Sequence, residues 1–189
     1  TRQKSISESQ SSKSLLGTLS EKIIKNLFQS FLNSDSTNSE FSSDFFKVDE
    51  RYSQSYGDFV LMCLPNNLWI SVKSSFTRER MLVSGFSTDI VGVGYFEDYK
   101  EFISPSKIRN YQKAGFLALY IPDSPVNASQ IEQGVTTFNL VKNHYETHMN
   151  QWPLNINGTE FLRPSSQLKR DLESLLAQKD IAKRSIVNY

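Results

Sequence analysis

Apolar positions recur at three- and four-residue steps near the start of the chain, at Leu15, Leu16, Leu19, Ile23, Ile24, Leu27, Phe28 and Phe31. That spacing predicts one amphipathic helix. Residues 1–13 are rich in Ser, Gln and Lys and have no periodic apolar face, so they read as a mobile arm; residues 33–43 read as a polar loop. Two strand-like runs follow. Asp58 to Leu64 is continuously apolar after its first residue, as in a strand buried on both faces. Leu68 to Ser74 alternates instead, with Ile70 and Val72 on one face and Trp69, Ser71 and Lys73 on the other. Pro65-Asn66-Asn67 between them predicts a hairpin, closed by a two-residue turn or by a four-residue loop from Pro65 to Leu68. Pairing Leu64 with Trp69 sets Met62 opposite Ser71 and Val60 opposite Lys73.

A βαβ unit is expected next. Asp89 to Phe96 reads as a strand. Ser104-Pro105 starts a helix, with Ser as N-cap and Pro at the first helical position, and Lys107 to Ala114 continues it to a stop at Gly115. Phe116 to Ile121 is the following strand, closed by Pro122. A right-handed crossover makes the two strands parallel. A last amphipathic helix is predicted from Ser165 to about Lys183, with Leu168, Leu172, Leu175 and Leu176 inward. The pattern is that of a single α/β domain over residues 14–189, a mixed central β-sheet flanked by helices.

Composition narrows the chemistry. With 189 residues, 38% hydrophobic and 12% aromatic, the chain can bury a core and does not read as disordered. Lys plus Arg is 21 against 20 Asp plus Glu, so any basic surface must be local. No apolar run reaches the roughly 20 residues needed to span a bilayer, and no apolar segment follows the first five residues as a signal peptide requires. A single cysteine, Cys63, excludes an internal disulfide framework and a multi-cysteine zinc site; its apolar surroundings read as burial. The two Asn-X-Ser/Thr sequons, at Asn127 and Asn157, read as chance. A cytoplasmic compartment is expected.

Asp58 lies two residues from Val60, so in the expected hairpin it shares a face with Lys73 as a diagonal neighbour, about 7–8 Å away between backbones. A carboxylate there can hold a divalent cation through oxygen. An ammonium there can offset charge developing on a phosphate or position an attacking water. Plainer readings exist for each residue. Asp58 and Lys73 are also ordinary strand-end charges. Arg78-Glu79-Arg80 is also a solvated turn, and Lys107, Arg109 and Lys113 are also a polar helix face. His144 and His148 stand at i, i+4 spacing but form no H-E-x-x-H and have no evident third ligand. Gly92-Val93-Gly94 lacks the third glycine of a dinucleotide site.

Over residues 14 to 122 the arrangement resembles the PD-(D/E)XK nuclease superfamily, the fold of many type II restriction endonucleases. Gly57-Asp58 stands for the first part of its motif and Ser71-Val72-Lys73 for the second. Ser71 replaces the acid expected two residues before the lysine. In this the chain resembles the subset cutting CCGG-type and CCNGG-type sites, in which the acid has moved to a downstream helix and an Arg-acid-Arg cluster reads guanine. The relocated acid would fall at Phe86 or Ser87, which leaves Asp89, Glu21 and Glu79 as the remaining acids.

The resemblance implies a restriction-endonuclease-like fold and a Mg²⁺-dependent, sequence-specific endonuclease acting on double-stranded DNA, compatible with a homodimer. Its catalytic residues would be Asp58, Ser71 and Lys73. Its metal ligands would be Asp58 with Asp89 or, second, Glu21. Its DNA contacts would be Arg78, Glu79, Arg80, Lys107 and Arg109. A repair or junction nuclease of the same fold, and a non-catalytic DNA- or protein-binding module on it, are the alternative readings.

Overall fold

Gly115 and Pro122 bracket the most regular element of the molecule. Gly115 takes φ 93°, a conformation open to glycine at little steric cost, and ends the helix before it. Pro122 offers no N–H to continue a ladder. Between them Phe116–Ile121 forms a strand buried at all six positions. The computed structural model describes residues 45–47, 57–64, 66–73, 89–178 and 189. The predicted arm 1–13, the helix from Leu15 to Phe31, the loop 33–43 and the Arg78-Glu79-Arg80 cluster lie outside them.

The elements in chain order are β1 (Phe45–Lys47), β2 (Phe59–Leu61), β3 (Leu68–Lys73), β4 (Ile90–Gly94), a 3₁₀ turn (Tyr99–Glu101), α1 (Pro105–Lys113), β5 (Phe116–Ile121), α2 (Ala128–Gln133), α3 (Thr137–His144), a π-helical turn (Tyr145–Met149), β6 (Leu162–Pro164) and α4 (Gln167–Leu176). The strands form one six-stranded sheet in the order β1-β2-β3-β4-β5-β6. β1, β2 and β3 pair antiparallel, and β3 to β6 pair parallel. The molecule is an α/β protein with a mixed central sheet flanked by helices.

Alternation along the strands divides the core in two. Phe59, Ile70, Val72, Val91, Val93 and Tyr120 pack with Leu168, Leu172 and Leu175 of α4 and with Tyr189. On the other face Ile90, Phe116, Leu119 and Ile121 pack with Ile108 and Tyr111 of α1 and with Val141 of α3. Among the described residues no helix is long and apolar enough to cross a membrane.

The hairpin differs from expectation in two ways. The strand buried on both faces is only Phe59–Leu61; Met62 and Leu64 are 37% and 47% exposed. The register pairs Phe59 with Ile70 and Leu61 with Leu68. The connection therefore spans residues 62–67, six residues rather than two or four, and the strands are offset by four from the expected pairing. Because the offset is even, each position keeps its face. In α1, Ser104 makes no side-chain cap; its hydroxyl pairs with that of Ser106 at 2.9 Å instead.

Candidate functional site

The site is built where β2 begins against the middle of β3. Gly57 is buried there, and a Cβ on it would stand 3.0 Å from the Ile70 carbonyl oxygen. Glycine lets the chain approach so closely without displacing that carbonyl. The next residue then engages β3 twice. The Asp58 N–H donates to the Ile70 carbonyl at 2.8 Å, and the Asp58 carboxylate accepts from the Val72 N–H at 2.5 Å. The Trp69 N–H donates to the carbonyl of Asp89, the residue before β4, at 2.9 Å, so by alternation the Val72 N–H points towards β2. Asp58 takes the ladder position where a further β2 carbonyl would accept. The half-buried carboxylate is thus pinned by a main-chain donor between Ser71 and Lys73, a charge-assisted hydrogen bond.

Across β3 the neighbours are glycines. Ser71 pairs with Gly92 and Lys73 with Gly94. The Ser71 side chain is fully buried, and among the described residues its hydroxyl has no hydrogen-bond partner. Positions 71 and 73 belong to the face of α1 and α3, and so does position 58 when the register is carried one step beyond Phe59.

Asp89 does not join this group. It precedes Gly94, the partner of Lys73, by five residues, about 16 Å of parallel strand. Its alternation with Val91 and Val93 also puts it on the α4 face. One of its carboxylate oxygens, Oδ2, is buried with no hydrogen-bond partner among the described residues. The register carries Asp58 to the level of Ser71 and Gly92, three residues or about 10 Å along the strand from Asp89 and on the other face of the sheet, so the arrangement does not support the expectation that Asp89 completes a metal shell with Asp58. Glu21, like Glu79, lies outside the described residues. Among the described residues no group of three or more His, Cys, Asp or Glu converges on a common point. Asp58 therefore brings one carboxylate to this edge, and Ser71 brings a neutral hydroxyl.

The carboxyl ends of β3 to β6 carry positive helix ends. α1 and α3 run back from this edge, and neither has an acidic residue in its first turn. α3 is fixed there by Thr137, whose hydroxyl donates to the Phe96 carbonyl at 2.7 Å, and by the Phe138 N–H, which donates to Pro122 at 2.9 Å. The Asn139 N–H of α3 is also taken, by its Thr136 cap at 3.1 Å, and the helix dipoles leave both starts electropositive. The start of α4 is met by Asp123 instead. Asp123 accepts from the Ser165 hydroxyl at 2.7 Å and from the Ser166 N–H at 3.1 Å, and it also takes the Ser166 hydroxyl. Burial alone would raise this carboxyl, but the bonds from Ser166 and Ser165 outweigh it and hold its pKa below the ordinary value. Lys107, in the first turn of α1, is paired with Glu101 at 3.1 Å, and Arg109 is exposed. The rings of His144 and His148 stack at 4.7 Å, with His148 Nδ1 3.3 Å from the His144 carbonyl oxygen.

A second polar group, not legible in the sequence, lies under α4. The Arg163 guanidinium meets Asp171 at 2.9 Å. The same carboxylate oxygen accepts from the Tyr120 hydroxyl at 2.6 Å, and Tyr120 lies 3.1 Å from the Tyr189 hydroxyl. Arg163 also covers the Tyr189 ring at 4.8 Å. Burial, reinforced by Tyr189 and Asp171, pushes Tyr120 well above its ordinary pKa; burial likewise raises Tyr189. Every member has a partner, which marks the group as a structural clamp between sheet and helix.

No family model, no curated protein and no solved structure matches the chain.

Proposed function

We propose that this chain is a Mg²⁺-dependent endonuclease acting on double-stranded DNA, working at the carboxyl edge of β3. The observation that carries the reading is the anchoring of Asp58 on β3. Its carboxylate is held by the Val72 N–H inside Ser71-Val72-Lys73. A ligand fixed this way loses little freedom on taking up a cation. Supporting it, the same edge collects the starts of α1 and α3 without first-turn acids, which suits a phosphate backbone despite a net charge of +1.

The donor set fits a magnesium ion. This hard cation is commonly held by one or two carboxylates, with waters and substrate phosphate filling its shell. Asp58 would hold it, and when bound it would supply Lewis-acid polarisation of a phosphate oxygen. The chain's own part is then positional. Asp58 is oriented by Val72. Lys73, two positions beyond Ser71 on the same face, would offset charge on the scissile phosphate and orient the attacking water. Ser71 keeps the strand neutral beside Gly92. Arg78, Glu79 and Arg80, following the catalytic strand, would read G·C pairs, since guanidinium suits O6 and N7 of guanine and a carboxylate accepts from N4 of cytosine.

The alternative is a non-catalytic DNA- or protein-binding module. The specific observations favouring it are the neutral Ser71 and the remote Asp89. Incubating supercoiled plasmid with the protein, with Mg²⁺ and with EDTA, decides between them. The nuclease reading expects nicked or linear DNA in Mg²⁺ alone, and intact plasmid in both samples favours the module.

A further inference from the structure

The chain contains two histidines, and both stand on one face of one turn. Four α-helical steps of about 100° carry a side chain about 40° past its starting line. The helix widens here: α3 ends at His144, and Tyr145–Met149 is a π-helical turn. A π turn bonds i to i+5 and rotates less per residue, so it draws His148 back over His144. The two rings accordingly lie 4.7 Å apart between centroids and 15° from parallel. The turn is fixed from inside by the buried Tyr145, whose hydroxyl donates to the Phe102 carbonyl at 2.9 Å. His148 is exposed and His144 half-buried. The His148 Nδ1 lies 3.3 Å from the His144 carbonyl oxygen. A carbonyl only accepts, so in this bond Nδ1 carries the proton and Nε2 keeps its lone pair. The ring nitrogens of His144 have no hydrogen-bond partner among the described residues. Lys142, the cation of α3, is paired with Glu146 at 3.8 Å.

We infer that His144 and His148 chelate a borderline divalent transition metal of the Zn²⁺ class, with water completing its shell. The site stands apart from the Mg²⁺ reading at Asp58 and does not depend on it. Donor type is the first argument. Neutral imidazole suits Zn²⁺, Ni²⁺ and Cu²⁺, whereas Mg²⁺ takes oxygen. Tautomer is the second. A metal-bound histidine commonly donates its other N–H to a carbonyl or carboxylate, which fixes the ring and raises its basicity. His148 already makes that bond. Geometry is the third. Metal–nitrogen bonds near 2.1 Å set two nitrogens of a tetrahedral ion roughly 3.4 Å apart, and eclipsed rings 4.7 Å apart reach that spacing when one ring tilts. Position is the fourth, since the C-terminal end of a helix favours positive charge. Among the described residues no third His, Cys, Asp or Glu joins the pair, so the site keeps open positions. Chelation ties residues 144 and 148 across the π-helical turn and so stabilises the turn that carries Tyr145.

Zn²⁺ is the probe. Isothermal titration of the untagged chain should show one Zn²⁺ bound per chain. Imidazole nitrogen NMR should show the signals of both histidines shifting together up to one equivalent, with the His148 Nδ1 still protonated. His144→Ala and His148→Ala should each weaken binding about tenfold or more, because the second ligand no longer binds intramolecularly. Glu146→His/His148→Ala keeps two histidines but sets them two residues apart, where they do not face each other. It should bind as weakly as the single variants. About a tenfold excess of Mg²⁺ over Zn²⁺ should leave wild-type binding unchanged. Wild-type affinity in His148→Ala or in the double variant, a response confined to one ring, displacement by Mg²⁺, or no binding at millimolar Zn²⁺ overturns the inference.

Discussion

Asp171→Ala removes the shared acceptor of the clamp under α4. Arg163 retains only 5% of its side-chain exposure, and Asp171 13%. Truncating the acid takes its carboxylate from a guanidinium nearly excluded from water, which also donates to the Glu160 carbonyl and the Thr159 hydroxyl. It also takes the 2.6 Å acceptor from Tyr120. Breaking a buried ion pair from one side costs about 3–5 kcal/mol, because the remaining charge is uncompensated. For a chain of this size each kcal/mol lowers Tm by about 2–4 °C. Differential scanning calorimetry at neutral pH should therefore show a fall of about 6–20 °C. The double variant Arg163→Met/Asp171→Leu removes both charges and should recover most of that loss. A melting temperature for Asp171→Ala within about 2 °C of wild type would refute the claim that this group clamps α4 to the sheet.

Three other outcomes follow from the same physics. Gly57→Ala places a Cβ 3.0 Å from the Ile70 carbonyl oxygen and should pull Asp58 away from Val72; plasmid cleavage should fall at least tenfold, with a stability loss of about 1–2 kcal/mol by urea denaturation. Tyr120 and Tyr189 have raised pKa values from burial, so the stability they confer is present below the ordinary value of 10.0 and lost as pH rises above it; ultraviolet titration should show two tyrosines that ionise only as the chain unfolds. Asp123 is lowered below its ordinary 3.8 by Ser166 and Ser165 against the opposing effect of burial, so its contribution is present above that value and lost as pH falls beneath it; the stability gap between wild type and Asp123→Asn should be flat near neutrality and close only in strong acid.

The parts of the fold that were legible in the sequence are those with punctuation. β5 begins and ends at the predicted residues because Gly115 and Pro122 leave the backbone no alternative. α1 begins at Pro105 for the same reason. The β2–β3 register was not legible. The run from Phe59 to Leu64 is apolar throughout, so it carries no alternation to say where pairing stops, and Met62 and Leu64 are spent on an exposed loop. What sets the register is the approach of Gly57 to Ile70 and the bond from Val72 to Asp58, contacts between residues 13 and 14 apart. The shared face of positions 58, 71 and 73 survives because the offset is even. β6 is Leu162-Arg163-Pro164, too short and too polar to stand out alone; it is a strand because Leu119 and Ile121 pair with it. The clamp joins Tyr120, Arg163, Asp171 and Tyr189, which only the folded topology brings together. Asp89 suited by type and by opening a strand beside the hairpin, but alternation with Val91 and Val93 puts it on the α4 face, away from Asp58.

The most direct test of the central claim is cleavage of supercoiled plasmid by wild type and by Asp58→Asn, followed over time in Mg²⁺ with an EDTA control. Asparagine preserves the size of the side chain and an oxygen for the Val72 N–H while removing the charge that would hold the cation. The account predicts Mg²⁺-dependent cutting by the wild-type chain and a loss of about 10²–10³ in rate for Asp58→Asn at unchanged Tm. Equal cutting by the two proteins, or no cutting by wild type in Mg²⁺, would contradict it.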